Sequence, residues 1–154
     1  MKKVLFTLFC SFLFIANANA KGSPFYMAIK AGIVDAGNGM SDNAVNAGFD
    51  IGYRNNRYIS TEVEYTTTFI SGDTPSGNNW EMDAFSVFAS FRSNTKVKLK
   101  AKVGLSSIDN NDSGLDLSMG IGVSYWAAGG LMDIEYTKLD DGLNFYSIGV
   151  NYFF

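Results

Sequence analysis

Apolar and polar side chains alternate with a period of two through most of the chain after residue 24. In the segment 115–125, for example, Leu, Met, Ile, Val and Tyr at odd positions oppose Asp, Ser and Gly at even positions. Such alternation is typical of a β-strand with one apolar face, and no segment shows the 3.6-residue stripe of an amphipathic helix. The pattern predicts eight strands, at residues 25–33, 45–54, 57–68, 81–92, 96–106, 115–125, 131–139 and 143–154.

The predicted connections differ in length between the two ends of these strands. The short ones are 54–57, 93–96 and 126–130, and the longer ones, rich in Gly, Asn, Asp and Ser, are 34–44, 69–80 and 107–114, with a last short connection at 140–142. Most strands have about the 9–11 residues that a tilted strand needs to cross a bilayer. The pattern therefore predicts an all-β fold, an eight-stranded antiparallel up-and-down transmembrane β-barrel with both termini on one side.

The first 20 residues, MKKVLFTLFCSFLFIANANA, have the anatomy of a secretory signal peptide, with two lysines, an apolar run and a small-x-small cleavage site. The run is shorter than the roughly 20 residues of a transmembrane helix, although an uncleaved N-terminal anchor is the alternative. Cys10 follows Phe9 instead of a small residue, which argues against a lipid anchor. We predict a signal peptide at 1–20 and one barrel domain at 21–154.

The charged residues of the strands fall on their polar face, and the apolar face is almost free of charge. A soluble barrel turns its apolar face inward, whereas a membrane barrel turns it toward lipid. Glycines on the polar face, such as Gly120 and Gly122, favour the membrane arrangement because they leave room for long side chains in a narrow lumen. The predicted lumen charge network comprises Lys30, Asp50, Glu62, Glu64, Lys98, Lys100, Lys102, Asp116, Asp133 and Glu135.

Aromatic residues gather near both ends of the predicted strands, as expected for the two membrane interfaces. The predicted interface aromatics are Tyr53, Phe91 and Trp126 at the short-turn end, and Tyr65, Trp80 and Tyr136 toward the long-loop end. The chain finishes on the aromatic segment NFYSIGVNYFF, in which alternation places Tyr152 and Phe154 on the lipid-facing side. We expect this last strand to pair with the first and close the ring, so that no edge is left unpaired.

Composition excludes several classes of function. The chain carries a net charge of −3, and without Lys2 and Lys3 the remainder has 10 basic and 15 acidic residues, which argues against nucleic-acid binding. It has no histidine and one cysteine, Cys10, so Ser-His and Cys-His catalysis and typical zinc sites are excluded. Glu62 and Glu64 are candidates for acid–base chemistry, but we expect them to neutralise lysines in the lumen.

The segment DNNDSGLD at 109–116 matches the start of a calcium-binding loop. The twelfth position of that pattern requires a bidentate Glu and is Gly120 here, so we expect an ordinary solvated outer loop. The longer loops are acidic as a group, which makes divalent cations that bridge to lipopolysaccharide, or a basic surface, candidate partners. No cofactor is expected.

With these segments the chain resembles the small OmpA/OmpX-like outer-membrane barrels, a porin-like group that includes opacity-type proteins. The resemblance is carried by STEVEYTTT at 60–68, LKAKVGL at 99–105, DLSMGIGVSYW at 116–126, DIEYTKL at 133–139 and IGVNYFF at 148–154. It implies a monomer in the outer membrane of a Gram-negative cell envelope, in contact with lipid and lipopolysaccharide. It also implies a C-terminal signal for the barrel-assembly machinery, formed by Tyr146, Ile148, Val150, Tyr152 and Phe154.

These motifs specify an architecture and are uninformative about an activity. The expectation is a non-enzymatic integral outer-membrane protein with a structural or surface-interaction role. A narrow porin-like channel for small solutes is the first alternative, and a soluble periplasmic lipid-binding barrel is the second.

Overall fold

Eight long strands close into a barrel. The computed structural model describes residues 24–37, 42–109, 114–127 and 129–154, so the predicted signal peptide lies outside the described residues. The barrel strands are β1 (Phe25–Asp35), β2 (Ala44–Arg54), β3 (Ile59–Ile70), β6 (Asp83–Arg92), β7 (Val97–Ile108), β8 (Leu115–Ala127), β9 (Gly130–Lys138) and β10 (Asn144–Phe153). Two short strands, β4 (Gly72–Asp73) and β5 (Asn79–Trp80), form a separate hairpin between β3 and β6.

Each barrel strand pairs antiparallel with the barrel strands that precede and follow it along the chain, and β1 pairs with β10. That last ladder runs from Tyr26 opposite Phe153 to Asp35 opposite Asn144. Beyond it, the Phe154 backbone N–H donates to the Phe25 carbonyl at 3.3 Å. The chain therefore ends inside a hydrogen-bonded ladder, and the predicted eight-stranded up-and-down barrel is confirmed.

Alternation along each strand separates two environments. Even-numbered residues of β7 and β8 point into the barrel, whereas the odd-numbered Leu99, Ile121 and Val123 stay exposed on its outer wall. Ile121 keeps 65% of its surface accessible, and large apolar residues cover the same wall on the other strands. An apolar wall of this extent is unfavourable in water and matches the hydrocarbon of a bilayer. Among the described residues no helix is long and apolar enough to span a membrane.

The turns explain where strand boundaries differ from the predicted ones. The third strand begins at Ile59 instead of residue 57, because the Asn56 side-chain oxygen accepts backbone N–H bonds from Tyr58 at 2.8 Å and Ile59 at 2.9 Å. In the predicted loop at 69–80, the Gly77 N–H donates to the Thr74 carbonyl at 2.9 Å and forms the turn of the β4–β5 hairpin.

A bulge ends the β2–β3 ladder at the long-loop end. Val45 lies opposite Ile70 while the next residue, Asn46, lies opposite Thr68, so Phe69 is the extra residue of the ladder. A bulge bends its strand and re-aims the inserted side chain. Phe69 is accordingly 81% exposed, which places an aromatic ring on the outer surface where β3 leaves the barrel.

An apolar cluster fills the interior at the long-loop end. It comprises Val34, Met82, Ala84, Ile108, Leu139, Leu143 and Phe145, with Ala36 and Trp80 packed against it. Val34, Ala84, Ile108 and Phe145 belong to barrel strands, Met82 immediately precedes β6, and Leu139 and Leu143 belong to the connection between β9 and β10. Because apolar side chains exclude water, the cluster seals this end of the lumen.

We expect Ile121→Arg to destabilise the folded barrel by about 2–4 kcal/mol, because a charged side chain would replace an apolar one at bilayer depth. Urea unfolding of the protein in lipid vesicles measures this free energy. Ser76→Arg in the exposed β4–β5 turn is the control and should change it by less than about 0.5 kcal/mol. Equal stability of Ile121→Arg and wild type would contradict the assigned outer face.

Candidate functional site

Nine charged side chains occupy the middle of the lumen, and we call them the interior charge cluster. None of them is more than 9% exposed. The members are Lys30, Asp50, Glu62, Glu64, Arg92, Lys100, Lys102, Asp133 and Glu135. Four cations face five carboxylates, so the cluster is close to neutral, as a buried set of charges must be.

One half of the cluster is built around two lysines. The Lys102 ammonium lies 2.8 Å from Glu64 and 2.5 Å from Glu135. The Lys30 ammonium lies 2.9 Å from Glu64, 3.0 Å from Asp50 and 3.4 Å from Glu135. Both lysines therefore share the same two glutamates, and Asp50 is an additional partner of Lys30.

The other half lies toward the short-turn end. The Lys100 ammonium contacts Glu135 at 2.7 Å and Glu62 at 3.0 Å. The Arg92 guanidinium donates to Asp133 at 2.8 Å and lies 3.8 Å from Glu62. Glu135 thus contacts cations of both halves, which makes the cluster one continuous network.

Hydroxyl groups complete the coordination of the glutamates. The Tyr26 hydroxyl donates to Glu62, and the Thr66 and Thr137 hydroxyls donate to Glu64 and Glu135 at 3.1 Å each. Gly52 is required beside Tyr26, since a Cβ at this position would lie 2.0 Å from the tyrosine ring. The aromatic ring can reach Glu62 only because β2 carries no side chain there.

The ion pairs connect strands that are not neighbours in the sheet. Lys102 on β7 reaches Glu64 on β3 past β6, and it reaches Glu135 on β9 past β8. Gly120 on β8 makes the second path possible, because a Cβ there would lie 2.8 Å from the Lys102 side chain. The cluster therefore ties opposite walls together, and breaking one of its pairs leaves an uncompensated buried charge.

A small cavity lies beside the cluster, between Lys30, Asp50, Asp133 and Asn151, with a volume of about 10 Å³. The second carboxylate oxygens of Asp50 and Asp133 have no hydrogen-bond partner among the described protein atoms. A polar cavity of this size holds one water molecule at most. The lumen is thus filled by side chains and is too narrow here for a solute.

Aromatic rings close the short-turn end of the interior. The Tyr26 ring lies 5.0 Å from the Phe153 ring, which lies 5.4 Å from the Trp126 ring. Trp126 shares the inward parity of Ser124 on β8 and packs at the mouth of the lumen. It was predicted as an interface aromatic at the short-turn end, and the residue lies at that end of β8 with 50% of its surface exposed. The Arg54 guanidinium covers Phe153 from outside at 4.8 Å.

Two residues predicted for the lumen network lie outside the cluster. The Lys98 ammonium donates to the Thr95 carbonyl at 3.4 Å, at the turn that precedes β7. Asp116 is half-buried near the start of β8, opposite Ser106, and is not in the ion pairs of the cluster. Both share the inward parity of the cluster but lie too far along the barrel axis to reach it.

Sequence reasoning missed Arg92 and Tyr26 as members of the interior. Arg92 follows Ser86, Phe88 and Ser90 on the inward side of β6, and continuing the alternation by two residues would have found it. Tyr26 occupies the inward face of β1. Its hydroxyl donates to Glu62 on β3, a contact that the sequence of β1 alone does not indicate. For Tyr26 the missing information was depth along the barrel, which alternation does not contain.

The remaining predicted aromatics divide between the wall and the loops. Tyr53, Tyr65 and Phe91 are exposed on the outer wall. Tyr136 packs its ring 5.2 Å from Tyr146. Trp80 lies instead on β5, where its indole N–H donates to the Asp42 carbonyl at 3.0 Å, so it does not belong to the barrel wall.

The predicted assembly-signal residues lie along one side of the last strand. Tyr146, Ile148 and Tyr152 are exposed on the outer face, Val150 is half-buried, and Phe154 follows the strand's last residue.

The carboxylates of the interior are engaged in ion pairs, which is the arrangement of a structural network. Among the described residues no group of three or more His, Cys, Asp or Glu is placed to hold a metal ion. Half of the segment that resembles a calcium loop, residues 110–113, lies outside the described residues. At the long-loop end of β9, the Lys138 ammonium contacts Asp141 at 2.7 Å, and this hydrogen bond lowers the pKa of the Asp141 carboxyl.

Solved structures of other proteins share this architecture. No family model and no curated protein matches the chain. Neisserial surface protein A superposes with a TM-score of 0.60 at 21% identity, over 86% of this chain and 98% of that chain. A de novo designed transmembrane β-barrel gives 0.58 at 16% identity, over 87% and 98%. The chain has the fold of a small eight-stranded transmembrane β-barrel.

A third structure with this fold is the Yersinia pestis outer membrane protein Ail in a phospholipid bilayer nanodisc. It superposes with a TM-score of 0.54 at 18% identity, over 84% of this chain and 99% of that chain. The barrel described here thus corresponds to nearly the whole length of each of the three solved proteins. At these identities the likeness concerns the fold alone.

We expect Lys100→Met to lower the free energy of unfolding by about 3–5 kcal/mol, because it leaves Glu62 and Glu135 short of a buried partner. Lys98→Met is the matched control on the same strand and the same inward parity. Since Lys98 lies outside the cluster, its loss should change stability by less than about 0.5 kcal/mol. Denaturant titrations in the same detergent measure both, and equal effects would contradict the assigned membership of the cluster.

Proposed function

We propose that this protein is a non-enzymatic integral barrel of the bacterial outer membrane whose interior is closed, and that it acts as a structural or surface-interaction protein. The observation that carries the proposal is the filled lumen. An apolar cluster occupies its long-loop end, the interior charge cluster its middle, and the rings of Tyr26, Phe153 and Trp126 its short-turn end. Because the interior is filled at these three levels, we expect partners to contact the outer wall and the loops of the barrel.

The outer wall supports residence in a membrane. Its residues are apolar, its charges are confined to the lumen and the two ends, and the ring leaves no unpaired edge in hydrocarbon. Structures with this fold include the Yersinia pestis outer membrane protein Ail. Export by a signal peptide at 1–20, assembly through the strand that ends at Phe154, and a monomeric state belong to the same proposal.

A soluble lipid-binding barrel is disfavoured by the same geometry. A lipid-binding interior requires an apolar cavity, and here the middle of the barrel is occupied by charged side chains that pair with one another. A narrow channel is disfavoured because solutes would have to displace Phe145 and its neighbours at one end and Phe153 at the other.

The loop end is the candidate surface for external partners. Every charged residue in the connections 36–43, 71–82, 109–114 and 139–143 is an aspartate or a glutamate. Carboxylates are the groups that divalent cations prefer, so bridging through such ions to the phosphates of lipopolysaccharide fits this chemistry. A partner protein with a basic surface would use the same charge complementarity.

Planar-bilayer recording tests the closed interior. We expect reconstituted wild-type protein to show no steady conductance, because the described side chains fill the lumen at three levels. A general porin in the same bilayer is the positive control, and heat-modifiable gel migration verifies that the tested protein is folded. Reproducible steps on the order of several hundred picosiemens, as a water-filled lumen would allow, would replace this proposal with a channel.

A further inference from the structure

The charges outside the membrane-spanning strands are segregated by sign. The short turns 55–58, 93–96 and 128–129 contain Arg57 and Lys96 and no acidic residue, and Arg54 ends β2 beside the first of them. The connections at the opposite end contain acidic residues and no lysine or arginine. The two ends of the barrel therefore present opposite potentials, and only the short-turn end attracts anions.

The basic turns are neighbours in space. β3 and β6 pair directly, and the Arg92 backbone N–H donates to the Tyr58 carbonyl at 2.7 Å where the turns meet. Arg57 in one turn and Lys96 in the other thus approach the same stretch of the rim, and both side chains are exposed. Two adjacent cations form a better anion site than two isolated ones, because their potentials add.

Aromatic rings lie between the basic residues of the short turns and the apolar outer wall. The Arg57 guanidinium lies 4.6 Å from the centre of the Tyr58 ring, and that ring stacks on Phe91 at 6.2 Å. Phe91 and its cross-strand partner Ile59 are exposed on the outer wall. A ligand at this point would meet cationic groups first and apolar side chains directly beside them.

We propose that Arg57 and Lys96, with Tyr58 and Phe91 beside Arg57, form a binding site for the headgroup of an anionic glycerophospholipid in the leaflet at the short-turn end. The phosphate would lie against the two cations and the acyl chains along the apolar wall at Ile59 and Phe91. This inference rests on the proposed membrane location, and it adds a lipid class and a leaflet to it.

The acidic end of the barrel differs from the short-turn end in its attraction for anions. Its one nearby cation, Lys138, is already engaged with Asp141 at 2.7 Å. Anionic headgroups are therefore repelled at that end unless cations intervene, and they are attracted at the short-turn end. The charge distribution consequently favours an orientation in which the short-turn end meets the anionic leaflet.

Native mass spectrometry of the detergent-purified, membrane-extracted protein tests the site by titration with dioleoylphosphatidylglycerol and, in parallel, dioleoylphosphatidylcholine. We expect the first phosphatidylglycerol to bind more tightly than phosphatidylcholine. The double variant Arg57→Gln, Lys96→Gln should lose about fivefold in phosphatidylglycerol affinity for each cation removed, with phosphatidylcholine affinity unchanged. The matched control is Lys138→Gln, which removes an exposed cation at the acidic end and should leave both affinities unchanged.

Equal affinity for the two lipids in wild type, or an equal loss in Lys138→Gln, would overturn the site. Soluble glycerol phosphate should compete poorly, because it lacks the acyl chains that contact the apolar wall. Full competition by glycerol phosphate would show that the site binds phosphate and not a lipid, and would overturn the proposal. Heat-modifiable migration and membrane extraction are scored first. A protein found outside the membrane overturns the proposed function together with this inference, whereas a folded, membrane-extracted barrel without lipid preference overturns this inference alone.

Discussion

The rest of this structure depends on one constraint, which is that charges enclosed in a narrow lumen must be paired. Nine charged side chains meet in the middle of the barrel, and ion pairs as short as 2.5 Å between Lys102 and Glu135 connect strands that are not adjacent. An unpaired member would be a buried charge in a medium of low dielectric, which is strongly unfavourable. The need for mutual neutralisation therefore determines which residues can occupy the interior, and it makes the lumen a packed core made of polar groups.

The same constraint helps to set the strand register. A one-residue slip exchanges the two faces of a strand and is excluded by the apolar wall, but a two-residue slip preserves the faces. On β7 such a slip would exchange one lysine for another among Lys98, Lys100 and Lys102. Gly104 prevents it, because its backbone packs so closely that a Cβ would lie 1.9 Å from the Val87 carbonyl oxygen and 2.7 Å from the Phe88 ring. The lysines and the glycine together therefore define one register.

Alternation in the sequence was sufficient to predict the architecture. The segment 115–125 already contains the two faces of β8, and the spacing of such segments predicts eight strands and their order because neighbours joined by short turns must pair. Depth along the barrel axis was not predictable in this way. Lys98 and Lys100 have the same parity and the same chemistry, and only the three-dimensional stagger of the strands separates the cluster member from the turn residue.

The ends of the strands were also harder to predict than their centres. Trp126 was assigned to the short-turn interface from its residue type, but its contact with the Phe153 ring at the mouth of the lumen could not be read from the sequence. The β4–β5 hairpin depends on a turn at Gly77 inside what appeared as a loop. Such features arise from local turn chemistry and from tertiary contacts, and neither is contained in a period-two pattern.

The most direct measurement of the central claim is a double-mutant cycle between Lys102 and Glu64, which lie 2.8 Å apart on β7 and β3. Unfolding free energies of Lys102→Met, Glu64→Gln and the double variant, measured in one detergent, give the coupling energy of the pair. Cross-lumen pairing predicts a favourable coupling of about 1–3 kcal/mol. Strictly additive effects would contradict the claim that paired charges hold the walls of this barrel together.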